Sequence, residues 1–240
     1  MNREKLTRVL NGWAMLPVTI FVGLAGIGLF VGFIVSAVRA ADTAGAMPNF
    51  WLLVASVLVV GLAVFSGFGY FALQPNEGRV LILFGSYCGT VRDSGWHWTN
   101  PLNTKLHISL RARNMEVEKL KVNDKRGNPV EIAAVVVWRV HDTAEAVFDV
   151  QQYESYVKIQ SESALRHVAS LYPYDQGEAN ETTLRSGMEE VAVALQKELQ
   201  ERVAKAGVVV DEARLTHLAY APEIAGVMLR RQQAEAIIDA

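Results

Sequence analysis

The side chains of this 240-residue chain best suited to metal binding or nucleophilic chemistry are five histidines and one cysteine. His97, His107, His141, His167 and His217 are scattered, and none stands in an HExxH pair or another spacing that brings two ligands to one helix face. No metal site is expected. Cys88 has no base beside it in sequence, and a lone cysteine in a strand-rich stretch more often packs as a small apolar residue than attacks a substrate. His141 beside Asp142 suggests a general base, but strand neighbours point to opposite faces, so a strand end followed by a helix-capping Asp is the stronger reading. The chain holds no GxSxG elbow, no glycine-rich phosphate loop with its lysine and no dinucleotide fingerprint. Active sites are assembled from distant positions, so a membrane-anchored hydrolase using Cys88 or a histidine is kept as the alternative. The balance favours a non-enzymatic protein, with no catalytic, cofactor or metal residue assigned.

Apolar residues make up 51% of the chain and concentrate at its N-terminal end. Residues 13–38 and 50–73 contain no charged side chain, and at about 1.5 Å per helical residue each exceeds the roughly 30 Å hydrocarbon core. A second apolar run so soon after the first argues for a hairpin of two spans rather than a cleaved signal peptide. The expected order is a cytoplasmic segment 1–12, a span 13–38, an external loop 39–49, a span 50–73, a soluble domain 74–221 and a helix 222–240. Arg3, Lys5 and Arg8 precede the first span, Arg39 alone lies in the loop, and Arg79 and Arg92 follow the second, which places both termini in the cytoplasm of a cell-membrane protein. Gly28 and Gly32 form a GxxxG pair that lets another helix approach. A formal charge of -2 argues against a nucleic-acid partner.

From Gly78 the period is mostly two. Strands are expected at 79–84, 105–111, 115–122 and 130–140, and the period then lengthens through helices at 144–150, 152–171 and 182–206. Gly207 is placed as a left-handed cap, 208–218 as a strand, and Pro222 as the first residue of a last helix. The soluble part thus reads as one compact α+β unit, an antiparallel sheet with packed helices. Its last helix carries Pro222, Ile224, Val227, Met228, Arg231, Ala234 and Ile238 as candidates for self-assembly, and its missing stop signal predicts continuation as a coiled coil or in a longer protein. Trp96 and Trp98 fall close to the second apolar run. Amphipathic rings favour a membrane interface, and packing over the sheet is the equal alternative.

These residues together resemble the SPFH superfamily, also called Band 7, which includes stomatins, prohibitins and flotillins. The resemblance rests on the order of Gln74-Pro75-Asn76-Glu77-Gly78, Ser94-Gly95-Trp96-His97-Trp98 with Asn100-Pro101-Leu102, Leu110-Arg111, Trp138-Arg139-Val140-His141-Asp142, Ala164-Leu165-Arg166, Gly207-Val208, Ala221-Pro222 and Gln233-Ala234-Glu235-Ala236. Ser94 stands where the family commonly has proline, and the turn at 124–128 is longer than usual. The resemblance implies a membrane-tethered, non-catalytic scaffold that needs no cofactor. It also implies many copies in a ring or cage, local organisation of lipid, and regulation of membrane proteins such as a protease.

Overall fold

The computed structural model describes residues 3–42, 47–175 and 181–238; the side chains of residues 231–238 lie outside the described ones. The chain divides into two compact units, Lys5–Ser109 and Met1–Glu4 with Leu110–Ala240. The single α+β unit expected from the sequence is therefore split between Ser109 and Leu110, and the apolar helices belong to the same unit as the first strands.

In the unit Lys5–Ser109, a short strand β1 (Leu10–Asn11) leads into α1 (Gly12–Asp42), and α2 (Phe50–Gly67) follows. Both helices are long and apolar enough to cross a membrane, and only 6% of either apolar window is buried within the chain. Asn49 caps α2 by accepting from the Trp51 N–H at 3.2 Å. Of the expected loop 39–49, residues 39–42 are helical and 43–46 lie outside the described residues.

The second apolar helix is shorter than the sequence suggests. Helix α2 stops at Gly67, and Tyr70–Leu73 is instead β2, paired antiparallel with β5 (Gly95–Trp98) from Tyr70 opposite Trp98 to Leu73 opposite Gly95. Phe68 to Leu73 is apolar enough to extend a helix, but a sheet partner and the close fit at Gly69 override that. A Cβ on Gly69 would stand 2.5 Å from the Thr99 carbonyl oxygen. The other side of β5 takes β1, with Leu10 opposite Trp98, so the sheet order is β1-β5-β2. The segment before α1 is thus no free tail. Thr7 N–H donates to Thr90 O at 3.0 Å and Thr90 N–H to Lys5 O at 2.8 Å. A second sheet has the order β4-β3-β6, built from β3 (Glu77–Leu83), β4 (Ser86–Val91) and β6 (Thr104–Ser109).

The two helices touch where the GxxxG reading did not place the contact. A Cβ on Gly28 would meet nothing within 4 Å, and one on Gly32 would meet only Leu52 at 3.9 Å. The close approach is at Gly26, where a Cβ would stand 2.7 Å from Val60 Cγ2 and 3.0 Å from Val60 N. Beside it the buried Ser56 hydroxyl donates to Gly26 O at 2.9 Å. Spacing along one helix names small residues, whereas the partner's position decides which of them are used.

The other unit has the sheet order β7-β8-β9, with β7 (Arg113–Asn123), β8 (Pro129–Val140) and β9 (Val208–Tyr220). Its core sets Val130, Ile132, Val136 and Trp138 of β8 beneath α4 (Tyr153–Leu171) and α5 (Met188–Val203). Helix α3 (Thr143–Phe148) starts at Asp142, whose Oδ1 accepts from the Ala144 and Glu145 N–H groups, as the capping reading expects. Gly207 has φ +62°, the left-handed conformation expected of it, and a Cβ there would lie 2.3 Å from Asp142 O. Helix α5 begins at Met188 rather than residue 182, because the Thr183 hydroxyl accepts from the Ser186 N–H in a side-chain turn at 3.0 Å. Leu184 keeps the helical spacing and is fully buried without being in the helix.

The turn at 124–128 is organised by a buried carboxylate. Asp124 accepts from the N–H groups of Arg126 (2.9 Å), Asn128 (2.8 Å) and Tyr174 (3.1 Å) and from Asn128 Nδ2 (3.1 Å). Close by, Tyr220 donates to Asp175 at 2.6 Å, and burial with that carboxylate holds its phenol far above the ordinary value. Asp124→Ala leaves those donors unsatisfied and is expected to destabilise this unit by about 3 kcal/mol, read as a lower denaturant midpoint. For the helix pair, Gly23 and Ala63 place their β-carbon positions 3.8 Å apart, within disulfide geometry. In a Cys88→Ala background, G23C with A63C should cross-link on oxidation, and G28C with A63C should not.

Candidate functional site

The region where chemistry and position converge is the end of α2. A helix leaves its last four carbonyls without intrahelical partners, and in hydrocarbon such groups are costly. Here several carbonyls at and just past the helix end have donors. Phe65 O and Ser66 O accept from Phe68 N–H and Gly69 N–H at 3.1 and 3.0 Å. Ser66 O also accepts from Trp98 Nε1 at 3.0 Å, and Phe68 O accepts from the Lys105 ammonium. Gly69 O takes the Thr99 N–H at 3.0 Å.

Aromatic rings collar the same level. Trp96 stacks on Tyr70 at 5.0 Å and meets Trp13 edge-on at 5.0 Å. A Cβ on Gly12 would stand 2.8 Å from Trp96, so the start of α1 needs glycine to pass the ring. Behind the collar Thr19 Oγ1 lies 2.7 Å from Tyr70 Oη and 3.4 Å from Ser66 Oγ. Trp96 and Trp98 pack on sheet β1-β5-β2, beside the start of α1 and the end of α2. At 18 residues α2 measures about 27 Å, close to the thickness of hydrocarbon. Lys105, partly buried and beside Arg79, has its ammonium pushed below the ordinary lysine value, with burial the larger cause.

The residues that could do catalysis are not brought together. Cys88 is half-buried, its thiol donates to Ser86 O at 3.6 Å, and it packs with Val9 against Phe71, Leu73, Leu81 and Val91. His107 faces Glu77 at 3.2 Å and His217 is 3.9 Å from Glu131, each a single pair. Among the described residues no three His, Cys, Asp or Glu side chains converge as metal ligands. Sequence reasoning missed Lys105, Tyr70 and Trp13, because their roles come from pairing between segments rather than from any local motif.

The candidate assembly helix, α6 (Pro222–Ile238), starts at Pro222 as expected. Its base is fixed: Ala221 N–H donates to Pro129 O at 2.9 Å, and Glu223 pairs with Lys121, which holds its carboxyl below the ordinary value. Ile224 and Met228 are half-buried, whereas Val227 and Leu229 are 67% and 57% exposed. The side chains of Arg231, Ala234 and Ile238 lie outside the described ones.

Trp98→Phe keeps the ring and removes the donor to Ser66 O. It is expected to cost about 1 kcal/mol and to speed amide exchange at Gly69 and Thr99, measured by hydrogen–deuterium exchange in detergent. Trp98→Ala should do more, because the ring's packing goes with it.

No curated protein matches the chain. The family model for the SPFH domain / Band 7 family matches residues 73–240, beginning at the last residue of β2 and running through the helices and strands just described. With that match over most of its length, the chain belongs to the SPFH domain / Band 7 family.

Proposed function

We propose that this protein is a membrane-anchored, non-enzymatic scaffold. In this reading α1 and α2 cross the cell membrane as a hairpin, with both termini and the SPFH domain on the cytoplasmic side. Copies assemble through α6 into a ring or cage that organises a membrane microdomain. The assembly regulates membrane proteins, a membrane protease among them. No nucleic acid and no cofactor enters this function.

The observation that carries the reading is α6: its first turn is pinned to the sheet while Val227 and Leu229 stand uncovered. Exposed apolar side chains on a fixed helix favour burial against a neighbour, and confinement to a membrane raises the local concentration of neighbours. The hairpin has separate support. Strand β5, after α2, pairs with β1, before α1, so the hairpin enters and leaves on one side of any bilayer it crosses. The positive charges flanking the helices favour the cytoplasm as that side.

Val227→Asp with Leu229→Asp should shift the detergent-extracted protein from large particles to single copies, measured by mass photometry, with the thermal transition of the sheet units unchanged. A flexible linker inserted after Leu73 should weaken assembly as well. Large particles in both variants would overturn the reading. Cys88→Ala and replacement of each histidine by Gln should leave the cellular function intact.

A further inference from the structure

The β3–β4 hairpin breaks a local rule at its tip. Phe84 and Gly85 both have positive φ, +48° and +86°, between the paired residues Leu83 and Ser86. A two-residue turn of this kind favours Asn-Gly, and a bulky residue in the first position is strained. Phe84 accepts that strain while 84% exposed. Strain at an exposed apolar residue points to a surface that uses it.

The register shows where this tip is. Strand β3 pairs with β6 from Glu77 opposite Ser109 to Ile82 opposite Thr104. Phe84 and Leu102, 48% exposed, therefore continue from the same end of the sheet. That end also holds Lys105, whose ammonium donates to Phe68 O at the last turn of α2. One face of the sheet carries Leu81 opposite Lys105 and Arg79 opposite His107, so the two cations are diagonal neighbours. The acid of that face, Glu77, is 3.2 Å from His107. The buried Nε of Arg79 has no hydrogen-bond partner among the described residues. An ammonium has three donors, and Phe68 O takes one.

We propose that Arg79 and Lys105 bind the phosphate of an anionic phospholipid, with Phe84 and Leu102 held in the interfacial layer beside it. The proposal rests on the reading of α1 and α2 as spans. The occupant follows from position and charge. A lysine bonded to the end of a span lies at headgroup depth, and two cations there attract anionic lipid, each by about 1 kcal/mol. Burial and Arg79 already push the Lys105 ammonium below its ordinary value, and a bound phosphate relieves that repulsion.

Native mass spectrometry of the full chain in mild detergent, titrated with phosphatidylglycerol or phosphatidylcholine, tests the proposal. Phosphatidylglycerol should be retained preferentially. Arg79→Gln, which leaves the Lys105 bond to α2 intact, should weaken retention about fivefold, and R79Q with K105Q about 30-fold. K119Q with K197Q, which removes two exposed cations of the other unit, should leave it unchanged. Phe84→Asn should raise the melting temperature in lipid-free detergent, because asparagine suits the turn, yet diminish the stabilisation given by phosphatidylglycerol. Equal retention of both lipids, wild-type retention by R79Q/K105Q, or an equal loss in K119Q/K197Q would overturn the site. Displacement by inorganic phosphate at concentrations equal to the lipid would assign it to free phosphate and overturn the lipid. Alkaline carbonate extraction of each variant reads the spans separately: a chain that stays in the membrane but ignores phosphatidylglycerol refutes this site alone.

Discussion

The structure depends on how the chain stops being an apolar helix. Continuing α2 to Leu73 would keep the backbone bonded within the helix and move the exit by about 9 Å, at 1.5 Å for each of the residues from Phe68 to Leu73. The chain instead ends the helix at Gly67 and finds substitutes for the lost bonds: an indole, an ammonium and the Gly69 and Thr99 amides. Each donor comes from the segment 98–105 or from the stop itself. The end of α2 therefore forms only together with β5 and the loop after it. A flexible junction could not do this, since donors on a moving domain would leave the carbonyls unpaired for part of the time.

The same arrangement explains the residues before α1. Strand β5 has two edges, one taken by β2 and the other by β1. Leu10 and Tyr70 both stand opposite Trp98, so the chain entering the hairpin and the chain leaving it share one strand. Gly26 and Ser56 draw the helices together further along, where the Ser56 hydroxyl adds a polar contact to a largely apolar seam. In hydrocarbon, close van der Waals packing and a shared hydrogen bond replace the hydrophobic drive that water would supply.

Local chemistry was legible in the sequence. The Asp142 cap, the left-handed Gly207 and the start at Pro222 each depend on residues within a turn, and each stands where the sequence puts it. What was not legible depends on partners distant in sequence. Nothing near Phe68–Leu73 says strand rather than helix until β5 is beside it. Gly28 has the spacing of a packing motif, but Val60 comes against Gly26. Leu184 fits the helical period and is buried as that period implies, yet the turn at Thr183 keeps it out of α5. The family resemblance, carried by short motifs in order, reached the fold despite these errors because order survives when boundaries shift.

A protein read as assembling with its own copies also has to avoid joining them wrongly. Strand β9 is a sheet edge, and an open edge pairs readily with another strand. Two side chains one helical turn apart on α5 occupy it. Gln200 donates to Val208 O at 3.1 Å and accepts from Val210 N–H at 2.9 Å, while Gln196 donates to Val210 O and Asp211 O at 3.1 and 3.0 Å. Further along, register shifts between β8 and β9 bend the strand and interrupt the flat ladder that a second strand would need. With this stretch of edge closed, Val227 and Leu229 of α6 are among the apolar side chains that this unit leaves uncovered.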